Sequence, residues 1–250
     1  MSTVSWVAFA VQMAIMLFFP IGLAIFFHRR FSVSWVVFFI AAGFYLINLV
    51  IQTPFVFAWY YLFSKLPWVA LALVTLTYAL SEETMRYLSF RVGRVMRGNR
   101  TANGALMAGI GHGGTESIIF ALGAAFTLYA AIFTPLALGG SAEAVLHAPW
   151  WTFVLSGVSR ILAITVHLGF ATLIVLAYRR TWWFYPLAIL MHFLVDFSTF
   201  GVQNLTGSLG WTLGVFALWA IAAVVLLVRV RRTDIAEPSE VQAVVPSVTA

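Results

Sequence analysis

The stretch PWVALALVTLTYALSEETMRYLSF, residues 67–90, reads as a membrane span that carries its own charges. Its first fourteen residues are apolar and helix-compatible; Glu82, Glu83 and Arg86 follow before the first plainly aqueous residue, Arg91. A charge at membrane depth costs about 2.5–3.5 kcal/mol on insertion scales, so residues of this kind usually have a function. On a helix Arg86 lies four residues from Glu82 and three from Glu83, and can reach either. One arginine can therefore neutralise one glutamate and leave the other free as an acid or base. The plainer reading of the same residues is a structural ion pair between helices.

Composition makes the membrane reading general. The chain has 250 residues, 62% hydrophobic and only 9% charged, with a mean hydropathy of +0.98. Soluble domains carry about 25% charged residues. The apolar runs are long and continuous rather than alternating, which predicts helices and not a β-barrel. There is no cysteine, which excludes disulfides and cysteine-ligated metals or clusters. The net charge of +6 is not a nucleic-acid footprint, because the bases sit in short clusters at the ends of apolar runs.

Working outward from residues 67–90, seven spans are expected: 4–27, 33–51, 67–90, 102–133, 149–178, 182–200 and 209–228. No cleavage site follows the first, which reads as a retained span. Residues 52–66 read as a Pro-broken aromatic link holding the only lysine, Lys65, and 134–147 as a small-residue loop. Gly111, Gly113 and Gly114 are expected to unwind or kink the long fourth span. Arginine clusters follow the first, third, fifth and seventh spans. That asymmetry predicts an all-α, multi-pass protein of the cell membrane, N-terminus out and C-terminus in. Residues 1–232 form one transmembrane domain with a motif-bearing, four-helix core at about 67–200, and 233–250 a short polar cytoplasmic tail, disordered by composition.

Four acids lie inside spans, Glu82, Glu83, Glu116 and Asp196, with Arg86, Arg160 and three histidines, His112, His167 and His192. Glu82 stands nine residues from Arg91, and each histidine twelve from its nearest basic cluster. At ~1.5 Å per residue those are depths of ~13 and ~18 Å. Four helices thus place a titratable residue in one layer, which points to one shared site. His112 and Glu116 in GHGGTE are four apart, as are His192 and Asp196 in HFLVD. Histidine beside carboxylate fits metal ligation or a histidine oriented by its acid. Arg160, nearer the outer side, is placed to pair with Glu116. Gln12, Asn48 and Pro20 read as packing or kink residues, and the HExxH zinc-protease motif is absent.

The set of motifs resembles a known family. EExxR in the third span, GxGHGxxE in the fourth, a lone histidine in the fifth and HxxxD in the sixth are similar to the YhfC intramembrane metalloproteases. That family resembles the wider CAAX-protease and bacteriocin-processing (CPBP) superfamily, marked by EExxxR, FxxxH and HxxxN or HxxxD. The arginine here comes one residue early, and Ala108 stands where the superfamily has Phe. The fit is to the YhfC branch, and a prenylated substrate is not implied. The resemblance covers the four helices between about residues 80 and 197. It implies Glu82 as the catalytic glutamate with Glu83 beside it, His112 helping to activate water, and His192 with Asp196 polarising the scissile carbonyl. His167 is carried over as a site member.

The expected activity is therefore peptide-bond hydrolysis in the membrane. Water enters from the cytoplasmic side, Glu82 with His112 acts as general base, and the partner is a membrane-embedded or membrane-proximal peptide. His112, Glu116, His167 and His192 are the candidate ligands of a divalent metal, zinc first, since three histidines plus Glu116 or Asp196 make a mixed N/O site. A metal-free glutamate protease is the alternative within the class. Outside it stand a proton- or ion-coupled transporter and a scaffold of the same fold without chemistry. A retinal protein is excluded, because its Schiff base needs a lysine within a span.

Overall fold

The computed structural model describes residues 1–236, which hold ten helices. Seven are long: α1 Thr3–Phe31, α2 Trp35–Leu62, α3 Pro67–Ser89, α5 Ala102–Phe133, α8 Trp150–Arg179, α9 Phe184–Thr206 and α10 Leu209–Ala236. Three are short: α4 Gly93–Gly98, α6 Pro135–Leu138 and α7 Gly140–Leu146. Six of the long helices are long and apolar enough to cross a membrane. The exception is α3, as long as α9 at 23 residues but holding Glu82, Glu83 and Arg86. The protein is a multi-pass membrane protein, and the charged side chains of α3 are buried within the bundle.

Local signals start the helices where the chain must turn. Ser2 Oγ accepts from the Ser5 N–H (3.1 Å), Ser34 Oγ from Val36 (3.2 Å) and Thr101 Oγ1 from Gly104 (3.0 Å). Each side chain satisfies one N–H that the first turn leaves unpaired. Pro67 opens α3 at a position that needs no N–H donor.

Three expectations are corrected. Residues 52–62 are not a link: α2 runs through Pro54 to Leu62. A proline removes one backbone hydrogen bond, whereas ending the helix in an apolar medium would strand several. The small-residue stretch after α5 is mostly helical, forming α6 and α7. The fourth span is not unwound at its glycines; α5 is continuous, and the glycines serve close packing instead. Helix α10 runs to Ala236, and the rest of the expected tail, 237–250, lies outside the described residues.

Helix α8 is central. In its most apolar stretch 78% of residues are buried, against 11–28% in the other five apolar helices. It packs on α1, α5, α9 and α10, and touches α3. Around it the contacts run α5–α2–α3–α9–α10 and back to α8, with α1 outside against α5 and α8. The arginine-rich ends share one face: Arg231 lies 4.3 Å over the Phe31 ring, bringing the ends of α1 and α10 together. Arg100, between α4 and α5, stacks 3.8 Å over Tyr178 at the end of α8 and donates to the Phe90 carbonyl at the end of α3.

Small residues let α5 into this arrangement. A Cβ on Gly109 would stand 2.8 Å from the Leu168 Cα of α8, and one on Gly114 2.8 Å from Pro20 of α1. One on Gly111 would collide with the Phe38 carbonyl of α2. Three neighbours therefore approach one short stretch at backbone distance, a contact only glycine permits. Below it, Phe27, Val37, Phe90, Met96, Met107 and Ile174 fill the arginine-rich half with a continuous apolar core.

Candidate metal and catalytic centre

The charged residues of four helices meet just beyond that core. Glu82, Glu83 and Arg86 come from α3, His112 and Glu116 from α5, His167 and Arg160 from α8, and His192 and Asp196 from α9. Glu82, Glu83, Arg86 and the three histidines are at most 6% exposed. Buried charge of this density survives only when each group finds a partner.

The two glutamates divide as the one-arginine arithmetic predicts. Arg86 pairs with Glu83, one turn back on α3, and leaves Glu82 free of it. Glu83 Oε1 also accepts from His192 Nδ1–H at 2.8 Å. Arg86 Nη2 donates to His167 Nδ1 at 2.8 Å, and its guanidinium lies 5.7 Å from the Phe170 ring. Glu82 Oε2 is instead 3.1 Å from His112 Nε2 and 3.9 Å from His192 Nε2. His192 Nε2 is also 3.5 Å from Asp196 Oδ2, across the expected one-turn spacing. Glu116 behaves differently from its neighbour His112. Its Oε1 takes Arg160 at 2.9 Å, as expected, and its Oε2 takes His167 Nε2 at 2.6 Å.

These contacts fix protons. An arginine can only donate, so His167 Nδ1 accepts, and Nε2 carries the hydrogen given to Glu116. His192 donates through Nδ1 to Glu83, which leaves its Nε2 facing Glu82 and Asp196. Aromatic rings hold the imidazoles in place. Tyr45 lies edge-on to His112 at 4.8 Å, and Phe170 stacks on His192 at 4.5 Å. A Cβ on Gly113 would sit 2.7 Å from the His167 ring, so the glycine after His112 makes room for the next histidine.

One group has metal-binding geometry among the described residues. Glu82, His112 and His167 each offer one ligand atom, all within 4.8 Å of one another and all buried. Of the four expected ligands, His112 and His167 fall in that group. His192 borders it through Glu82, and Glu116 stands behind His167 with both oxygens engaged.

Sequence reading missed the α2 contribution. Asn48 Nδ2 donates to Gln52 Oε1 at 2.8 Å, and Ser81 Oγ donates to the same oxygen at 3.0 Å. Gln52, assigned to a link, lines the site cavity with Tyr45. The signal was present as Asn48 and Gln52 at one-turn spacing, but reading residue 52 as the end of the helix concealed it.

That cavity has a volume of about 380 Å³. Glu82, Glu116, His167, His192 and Asp196 line it, and from them it runs past Thr199, Phe200 and Gln203 of α9 to Leu209 and Thr212 of α10. These residues lead toward the arginine-poor end. The cavity does not extend into the arginine-rich half, from which water entry is expected; the apolar core of the α5–α8 contact fills that half.

The comparisons with known proteins agree with one another. The profile of the family described as "YhfC intramembrane metalloprotease" matches residues 15–226. The Bacillus subtilis (strain 168) protein named "Uncharacterized membrane protein YhfC" is 28% identical over 229 residues, covering 75% of this chain and 81% of the relative. No solved structure matches. The match spans every helix that supplies a charge to the centre, and the chain therefore belongs to the YhfC intramembrane metalloprotease family.

Proposed function

We propose that the protein hydrolyses a peptide bond within the membrane, at the centre formed by Glu82, His112, His167 and His192. One observation carries this reading. A carboxylate and imidazoles from three helices converge within 4.8 Å, Glu82 and His167 among them lining a cavity, in a chain of a metalloprotease family. The donor set fits a divalent metal. Two histidines and a glutamate are a common catalytic zinc set. Glu82, His112 and His167 would hold the ion, with His192 able to join through Nε2. When bound, such an ion makes a water acidic enough to supply hydroxide and polarises the scissile carbonyl.

The chain's own residues supply the rest. Glu82, left unpaired by Arg86, receives the proton of the attacking water; in the absence of an ion His112 holds its carboxylate at 3.1 Å. When His192 Nε2 takes a proton, Glu83 and Asp196 balance the charge. The ring can then hand that proton to the oxyanion or the leaving amine. Arg86 and Glu83 do not themselves line the cavity and act as positioning residues, locking His167 and His192 from behind. Glu116 and Arg160 hold the other side of His167. His167 has both nitrogens engaged, so joining an ion requires it to release Arg86 or Glu116.

Metal content of detergent-purified protein tests this, wild type beside His112→Ala and Glu82→Ala. Near-stoichiometric zinc in the wild type and little in either variant is the expected result. Metal-free wild type that still cleaves a membrane-embedded substrate would move the mechanism to a glutamate-activated water. Cleavage undiminished in Glu82→Ala would remove that residue from the chemistry.

A further inference from the structure

We propose that the centre is reached from the arginine-poor face of the membrane, and that a single extended peptide strand presented on that side enters it. The inference rests on the hydrolase reading for its substrate, but its route stands on geometry alone.

The cavity has a floor and a mouth. His192 and Asp196 lie at the floor, and Gln203 of α9 and Thr212 of α10 at the other end, joined by a 2.6 Å hydrogen bond. From His192 to Gln203 is eleven residues, or ~16 Å of helix. Below the floor, Phe90, Met107 and Ile174 are fully buried, and Arg100 closes the end over Tyr178. Under the positive-inside rule the arginine-poor end faces outward. A strand rises at most ~3.6 Å per residue, so about five residues must enter before a carbonyl reaches Glu82.

The walls suit such a strand. They are mainly apolar and aromatic, with Phe120, Phe200 and Phe216 among them, and polar groups at intervals. Thr199 Oγ1 is buried against the cavity and has no hydrogen-bond partner among the described residues. A substrate helix must release backbone hydrogen bonds before its carbonyl can be attacked, and the freed groups then need partners. Thr199, Gln203 and Ser159 are placed to provide them.

The absence of cysteine makes the route directly measurable, since each introduced thiol is the sole target. Thr199→Cys and Gln203→Cys would be placed in the full chain in sealed, uniformly oriented vesicles. A small, charged, membrane-impermeant thiosulfonate is then added to one face at a time. Arg94→Cys, on the arginine-rich face, marks the opposite side. The expected result is that both cavity thiols react only from the face that leaves Arg94→Cys unlabelled, and that labelling Thr199→Cys lowers cleavage at least ten-fold. Reaction of either from the Arg94→Cys face, or from neither face, overturns the route. Should Thr199→Cys fail to fold by gel filtration, Gln203→Cys and Ser159→Cys carry the same reading. Labelling needs no turnover, so a chain that cleaves nothing yet labels as expected would refute the hydrolase reading and leave the route standing.

Discussion

The two halves of helix α5 differ in burial and in side-chain size. Toward the arginine-rich end, residues 104–114 are all buried and include Gly104, Gly109, Gly111, Gly113 and Gly114. Toward the other end the helix carries Phe120, Phe126, Tyr129 and Phe133, all more than half exposed. Small residues draw α1, α2 and α8 onto the first half at backbone distance. The large residues of the second half face outward, and of them only Phe120 lines the cavity. The same helix is thus a seal below the centre and, through Glu116 and Phe120, part of the cavity wall above it.

That contrast can be broken at its boundary. The largest effect is expected for Glu82→Ala at the cavity floor, a loss of about 10²–10⁴-fold in peptide cleavage. The variant should still insert and unfold at nearly the wild-type temperature in detergent. Next is Arg86→Ala, directly behind the floor. It strands Glu83 as an unpaired buried charge, which costs about 3–5 kcal/mol and should appear as a strongly lowered melting temperature. An Arg86 variant of wild-type stability would mean that Glu83 is not ionised by that pairing.

Within the seal itself, Gly109→Leu forces side-chain atoms into the Leu168 backbone and should destabilise by about 1–3 kcal/mol. The comparison sharpens if Gly123→Leu, in the other half and with open space at its Cβ, changes the melting temperature little. The smallest effect belongs to the mouth. Thr212→Val removes the link to Gln203 and should cost about 1 kcal/mol or less, with metal content unchanged.

Much of the centre was legible because its residues are costly where they lie. Glu82, Glu83, Arg86, His112, His167, His192 and Asp196 stand out in apolar runs, and counting from the basic clusters puts Glu82 and the three histidines in one layer. The division of Glu83 to Arg86, leaving Glu82, follows from spacing, although geometry chose the three-residue partner over the four-residue one. Glu116 was less legible. Its pairing with Arg160 is the one the sequence suggests, but its spacing from His112 suggests a further pair that its carboxylate does not make, meeting His167 of α8 instead. The part of α2 beyond residue 51 was misread, since Pro54 signals a break in water but not in a medium that offers no other partner to a backbone group.

By itself the sequence determined the class of the molecule. Long apolar runs can only be membrane helices, their arginines order the ends, and ionisable residues at depth must gather to be tolerated. Only the tertiary structure decided which residue answers which, and which way the centre opens. Pairing depends on the rotation of each helix about its axis, and a depth count carries no information about rotation. Opening depends on how closely neighbours approach along their length. That is a property of facing surfaces, and the glycines of α5 acquire it only once Leu168, Phe38 and Pro20 are set against them.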